Sequence, residues 1–564
     1  MKTREEFKIR LHVGKQFFNH LIVIALLMFL LAFQASAASS ARPDRLSKAD
    51  LITVETAPSV PVREAAFFAF DDYSIPWKDN LKLTLVEAEK YPGNPVISCG
   101  PEGTHDSRHV IIYGSVIKVG DKFRMWYLAT WKTSEAVMSD RDRWRPMCYA
   151  QSDDGIHWTK PNLGLVEFNG NKNNNICLIE PESSLMSRVN DFLSVMYDPD
   201  DPDPARRYKV AYIAHIPRDK FKGGVRNVDL RDKLICSMIC ATSADGLTWH
   251  IVGDRPSVNE KFEVSGLYKF GDFYYASGQQ ISPWSWLPDG ERAGRVMTIY
   301  RSPDLLNWSK AKVFGFARPG QLTKPPIEGQ QTHMGAGMWD RGNVIVGLYG
   351  MWENGPGPSE KPGGSTYLGN LGLIVSNNGM HFREPVPDFK VIPRDSETEW
   401  DSIMILQGHA FANVGDKTYI WYGHSDWDCT MKGLSSEIGL AFLRRDGFGY
   451  FSRKETSKDA AIAGHFVTCQ AKSETGKANL RINADGLSPQ APLKIELLDS
   501  LDRPIPRYSG ANAAKVTTSG ISQEVIWPGT KSGVISLKEP FVVKVEFPLT
   551  GNVRVFALYI NGQS

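Results

Sequence analysis

Apolar and polar positions alternate along most of this chain, in short runs rich in aromatic and β-branched residues and closed by turn residues. Five such runs cover residues 123–129 (FRMWYLA), 208–214 (YKVAYIA), 272–278 (DFYYASG), 343–350 (NVIVGLYG) and 417–423 (KTYIWYG). A second β-rich run follows each of them, at 147–150, 235–241, 296–300, 371–375 and 438–443. Helical periodicity is hardly visible, so the pattern predicts β-strands almost throughout.

A short motif follows each second run. Ser152-Asp153-Asp154-Gly155-Ile156-His157-Trp158 returns as Ser243-Ala244-Asp245-Gly246-Leu247-Thr248-Trp249. It returns again as Ser302-Pro303-Asp304-Leu305-Leu306-Asn307-Trp308 and as Ser376-Asn377-Asn378-Gly379-Met380-His381-Phe382, with a degenerate fifth copy, Arg444-Arg445-Asp446-Gly447-Phe448. Asp or Asn caps a tight turn with its own side chain, Gly takes the φ > 0 position, and the aromatic folds back on the sheet. Five units of 60–90 residues or so, each worth about four strands, predict a five-bladed β-propeller. It is expected over residues 38–455. From 456 to 564 the runs LRINADG, LKIELLDS, VVKVEF and VRVFALYI predict a small C-terminal β-sandwich. The fold class is all-β.

The first 37 residues change the picture of location. Lys2, Arg4, Lys8, Arg10 and Lys15 precede the apolar run 21–33, and Ala35-Ser36-Ala37 follows it. That is a signal peptide pattern, with cleavage expected after Ala37 and a secreted or periplasmic mature protein. The apolar run is short for a membrane span, and no later stretch is apolar enough to cross one. Removing the leader takes the formal charge from +2 to about −1. No basic stripe appears, which argues against a nucleic-acid partner. The cysteines, Cys99, Cys148, Cys177, Cys236, Cys240, Cys429 and Cys469, are odd in number and read as core residues with one or two disulfides among them. No Cys/His zinc pattern occurs. The 15 Trp and 19 Tyr suit sugar rings and sheet cores equally.

With these features the chain resembles the five-bladed propeller superfamily of glycoside hydrolase families 32, 43, 62 and 68. The segment from Asp154 to Pro161, with Gly164 to Gly170, is also similar to uncharacterised bacterial proteins grouped as family 32-like. The resemblance implies an Asp base or nucleophile, an Asp stabiliser and a Glu general acid on three successive inner strands. Glu263-Val264-Ser265-Gly266-Leu267-Tyr268-Lys269 is similar to the E-G-P-x-L-Y-K segment of family 43, which puts Glu263 at the general acid. Asp191 lies near the stabiliser, one residue out of register when Ser194-Val195 is aligned with D-P-S-V; a bulge would restore it. The first inner strand departs from the family, with Tyr113 where D-P-S-V-I has its Asp. A phenol is a poor general base unless a neighbour activates it. Asp106, in the run His105-Asp106-Ser107-Arg108-His109, is therefore a candidate substitute.

Gln407-Gly408-His409 resembles the G-H segment of family 43, where the His approaches the axis and in some members helps hold a divalent ion. The resemblance thus implies a Ca²⁺ site near His409, while a structural His fits equally. His333 takes the comparable place in the fourth unit, and Arg108 and Gln407 complete the expected substrate-binding set. The expected function is carboxylate-assisted hydrolysis of a poly- or oligosaccharide. The alternatives are a glycan-binding propeller without catalysis, and a phosphorylase or lyase on the same scaffold. For a phosphorylase, Arg108, Arg143, Arg145 and Arg188 are candidate phosphate donors.

Overall fold

The structure is a computed structural model that describes residues 52–54, 61–131, 144–221, 224–225, 233–281, 295–311, 314–318, 331–356, 365–395, 400–402, 404–424, 436–454, 462–530 and 532–563. The expected leader, Arg143 and Cys429 lie outside the described residues, which contain strands and short 3₁₀ turns but no α-helix.

Five strands organise the larger part: β1 (His109–Val119), β2 (Asp191–Tyr197), β3 (Glu263–Phe270), β4 (Gln331–Asp340) and β5 (Ile405–Val414). Each begins an antiparallel sheet whose next two strands are the paired β-rich runs of the sequence. In the first four sheets a short fourth strand follows in the chain. The fifth takes its outer strand from upstream, where Glu89–Lys90 pairs with Ile438–Arg444, Lys90 opposite Ala441.

The five strands contact one another in a cycle, β1 to β2, β2 to β3, β3 to β4, β4 to β5 and β5 back to β1. Side chains close the seams. Ser115 Oγ accepts from Val195 N at 2.7 Å and Ser194 Oγ accepts from Leu267 N at 2.8 Å. His409 Nδ1 accepts from Met338 N at 3.3 Å, and a parallel bridge sets His409 opposite Ser115. Glycines allow these approaches: a Cβ on Gly337 would stand 1.9 Å from the carbonyl oxygen of Gly408.

The repeated turns fold as expected. In the first, Ser152 Oγ accepts from Gly155 N at 2.8 Å, and Asp154 Oδ1 accepts from Ile156 N and His157 N, both at 2.8 Å. Gly155 sits at φ 78°. The same bonds recur around Ser243, Ser302 and Ser376. Three of the sheets also reach into a neighbour's turn. Trp421 Nε1 donates to Gly155 O at 2.8 Å, Trp126 Nε1 to Gly246 O at 2.6 Å and Tyr268 OH to Gly379 O at 2.6 Å. The fifth turn is different. Asp446 is buried, ion-paired with Arg341, and accepts from Tyr559 OH at 2.7 Å, which ties the C-terminal strands to the cycle.

The C-terminal strands form two sheets around one apolar core that includes Phe466, Leu480, Ile482, Val543, Val545 and Ile560. N-terminal strands join both sheets. Ile52–Val54 pairs with Ala471–Ser473, Trp77–Asp79 with His465–Val467, and Glu64–Phe68 with Arg554–Gly562. Strand pairing therefore crosses the expected boundary at 455/456, and residues 52–85 pair with these sheets rather than with the first unit. One expectation is corrected: Cys99, Cys148, Cys177, Cys236 and Cys240 are thiols and form no disulfide. Burial pushes the Cys99 thiol up to about 11.

Candidate functional site

Every one of the five organising strands is bulged near its start. In β2 one extra residue lies between Asp191 and Leu193, and in β3 one lies between Val264 and Gly266. In β1, β4 and β5 the register shifts between Ile111 and Ser115, His333 and Ala336, and Gln407 and Phe411. A bulge bends its strand and re-aims the side chains beside it. Phe192, the extra residue of β2, takes φ 37°, a left-handed conformation that is costly outside glycine.

These bulges settle the register of the predicted residues. Ser115 and Ser194 are equivalent, because each hydroxyl accepts the amide of the following strand, and the same pattern makes Gly266 their counterpart in β3. Counting back three residues, Asp191 and Glu263 occupy equivalent places in adjacent strands. The positions two back are Tyr113 and Phe192, whose rings pack at 4.1 Å. The family's Asp position thus holds an aromatic ring in both β1 and β2, and the β2 carboxylate stands one residue earlier.

Asp191 pairs with Arg145, and Glu263 accepts from Gln279 Nε2. Both carboxylates are partly exposed at the starts of their strands, whereas Gln279 is buried. The charges of Glu263, Lys261, Asp191 and Arg145 all act on the Cys236 thiol. Burial first, then the Glu263 charge, pushes that thiol far up, so it is a protonated wall rather than a nucleophile. Gln279 faces Glu263 only because of the bulge: an unbroken hairpin from Phe270 opposite Phe273 would put Gln280 there. Sequence alone gives no sign of that slip.

Tyr113 reaches His333 across the cycle, with ring centres 6.3 Å apart, and Trp352 covers the other side of His333 at 4.6 Å. Gln407 is buried and donates from Nε2 to His333 O at 2.9 Å and Gly335 O at 3.1 Å, so it staples β5 to β4. His409 serves a seam rather than the mouth, and burial holds its imidazole down, at about 4. Among the described residues, no group of three or more His, Cys, Asp or Glu side chains is arranged to hold a metal ion. Arg108 is fixed through its backbone, with N donating to Thr130 O at 3.0 Å.

Asp106 is not brought to the other predicted residues. Its carboxylate accepts from Lys160 Nζ at 2.6 Å and from Thr104 Oγ1 at 2.9 Å, in a cavity on the flank of the first sheet that none of them lines. Burial would raise its pKa, but the charge and hydrogen bond of Lys160, with His105 and Thr104, outweigh that and hold the carboxyl below its ordinary value. Trp339 stacks on Phe411 in the core, whereas Trp284 and Trp286 lie outside the described residues.

No family model matches the chain. Two uncharacterized proteins of Mycobacterium tuberculosis, from strains CDC 1551 and H37Rv, are each 25% identical to it over 190 residues. The match takes in 33% of this chain and 49% of theirs, so the chain spans about half the length of the curated relatives it matches. Solved structures with a similar fold include a glycosyl hydrolase from Bacteroides ovatus, 15% identical with a TM-score of 0.41 over 64% of this chain and 94% of that one. A family 32 β-fructofuranosidase of Bombyx mori is 12% identical with a TM-score of 0.35 over 82% and 94%. At such values the fold rests on the chain's own strand pairing.

Proposed function

We propose that the five cyclic sheets are blades of a five-bladed β-propeller, that the C-terminal sheets form a β-sandwich, and that the mouth of the propeller cleaves glycosidic bonds. The carrying observation is the equivalence of Asp191 and Glu263, two partly exposed carboxylates from adjacent strands. In this reading Glu263 gives its proton to the leaving glycosidic oxygen as the C–O bond breaks. Asp191, oriented by Arg145, faces the positive charge that grows at the anomeric carbon; water then adds to that carbon and its proton returns to Glu263. Gln279 Nε2 donates to Glu263 and is a neutral partner for its carboxyl. Tyr113 and Trp352 are buried rings that pack on His333.

One observation favours a second reading, glycan binding without cleavage: aromatic rings, not carboxylates, occupy the family's Asp positions in both β1 and β2. Release of reducing sugar from a panel of plant, algal and host polysaccharides, with Glu263→Gln in parallel, separates the two. Cleavage that falls about 10³-fold in the variant supports the hydrolase. A blank panel with retained binding overturns it in favour of the second reading. The leader pattern supports export, and a mature protein whose N-terminus is Ala38 is the expected result of N-terminal sequencing.

A further inference from the structure

The run His105-Asp106-Ser107-Arg108-His109 has no part in the mouth of the propeller, yet it builds something. Asp106 and His105 form the floor of a cavity of about 420 Å³, closed on the opposite side by residues 160–175. That volume is in the range that small-ligand sites occupy. Two features make it a shaped space rather than a gap between loops. A Cβ on Gly100 would stand 2.2 Å from Asp106 Oδ1, so only glycine leaves the carboxylate its place. Phe168 forms an apolar wall, with the His105 ring edge-on to it at 5.9 Å and Trp131 behind it at 5.1 Å.

We propose that this cavity is a second saccharide-binding site, taking one neutral sugar ring. The charge inside is already balanced, because Lys160 Nζ sits on Asp106 and also donates to Ser98 O at 2.8 Å. A strongly anionic ligand would have to compete with Asp106 for the cavity's one lysine. His105 adds no charge, since burial keeps it neutral at ordinary pH against the opposing pull of Asp106. What remains is hydrogen-bonding capacity without net charge: the His105 ring, buried and approached by the Asn175 side chain; the second lone pairs of the Asp106 oxygens; and the amides of Asn171 and Asn173 at the rim. A carboxylate and primary amides beside an aromatic wall match the alternating hydroxyls and apolar C–H face of a pyranose or furanose. The site is independent of the catalytic reading, and a free sugar and the end of a glycan chain present the same chemistry to it.

Titration calorimetry tests it on the Glu263→Gln protein, where turnover does not interfere. The probes are D-glucose, D-galactose, D-mannose, D-xylose and D-fructose, with D-glucuronate and glucose 6-phosphate as anionic counterparts. Two variants report on the cavity. Asn173→Trp plugs the rim at an exposed position, and His105→Leu removes the buried donor. At least one neutral sugar should bind, with affinity lowered about tenfold or more in Asn173→Trp at an unchanged melting temperature. Turnover of a small soluble substrate by Asn173→Trp, with Glu263 intact, should equal that of the native enzyme. Repeating the titration with the polymer that contains the bound sugar tells a monosaccharide site from a chain-end site. Failure of every neutral sugar to bind, equal affinity in native and Asn173→Trp proteins, or binding of the anionic probes alone would overturn the proposal. A glycan panel without cleavage would leave this result standing.

Discussion

Two carboxylates in this chain sit beside a cation, Asp191 beside Arg145 and Asp106 beside Lys160, yet their surroundings differ in the respect that matters for chemistry. Asp191 lies at the bulged start of an organising strand, its side chain about a fifth exposed, with a second carboxylate at the equivalent place of the neighbouring strand. Asp106 is 3% exposed, in a loop, and its titratable neighbours are a lysine and a neutral imidazole. The bulged pair is partly exposed and placed by sheet geometry, whereas the loop pair is a charge-balanced wall with its carboxylate buried. An ion pair alone does not mark an active site. On the proposed reading, a second carboxylate at the equivalent place of the adjacent strand does.

The comparison can be broken in several ways. The largest expected effect is on turnover: Arg145→Met strips Asp191 of the cation that orients it and should lower kcat about 10²-fold or more, with little change in unfolding temperature. In the loop pair the same kind of change should act on stability instead. Lys160→Met leaves the Asp106 carboxylate buried without its cation and should cost about 3 kcal/mol in chemical denaturation, with catalysis per folded molecule unchanged.

A smaller effect concerns acid. The Asp106 carboxyl is held below its ordinary value in the folded state, so its contribution to stability is complete above the unfolded value near 3.8 and is lost as pH falls below it. The stability difference between native and Asp106→Asn proteins should therefore shrink below about pH 4. His409 gives the smallest effect. Its imidazole, at about 4 when folded against 6.5 when free, must stay neutral to accept the Met338 amide. Stability should fall as pH drops from 6.5 towards 4, and His409→Gln, which keeps an acceptor, should flatten that slope in thermal melts.

Much of the scaffold was legible in the sequence because its signals are local. The Ser-x-Asp-Gly turn is a set of bonds between a side chain and amides two or three residues away, so four good copies announced four turns. Leu305 shows the limit of reading it by residue type: it holds φ 68° where the other three copies have Gly, because its buried side chain packs into the core between sheets. Asp191 and Glu263 were singled out by resemblance to short family segments, which are local signals as well.

What stayed hidden is non-local. No run in residues 52–85 says that its partners lie some 400 residues away, since a strand's edge carries no address beyond its pleat. Nor do single residues announce bulges, and so the sequence could not show that Gln279 rather than Gln280 faces Glu263. Asp106 was misplaced because a loop rich in His, Asp and Arg upstream of an inner strand has two directions to fold, and Lys160, half a sheet away in sequence, decides between them.

The most direct test of the account compares Asp191→Asn with Asp106→Asn on whichever polysaccharide the native protein cleaves, by kcat per folded molecule. The account predicts a fall of about 10²–10⁴-fold for Asp191→Asn and near-native turnover for Asp106→Asn. Near-native turnover in Asp191→Asn with collapse in Asp106→Asn would contradict it and move the chemistry to the flank of the first sheet.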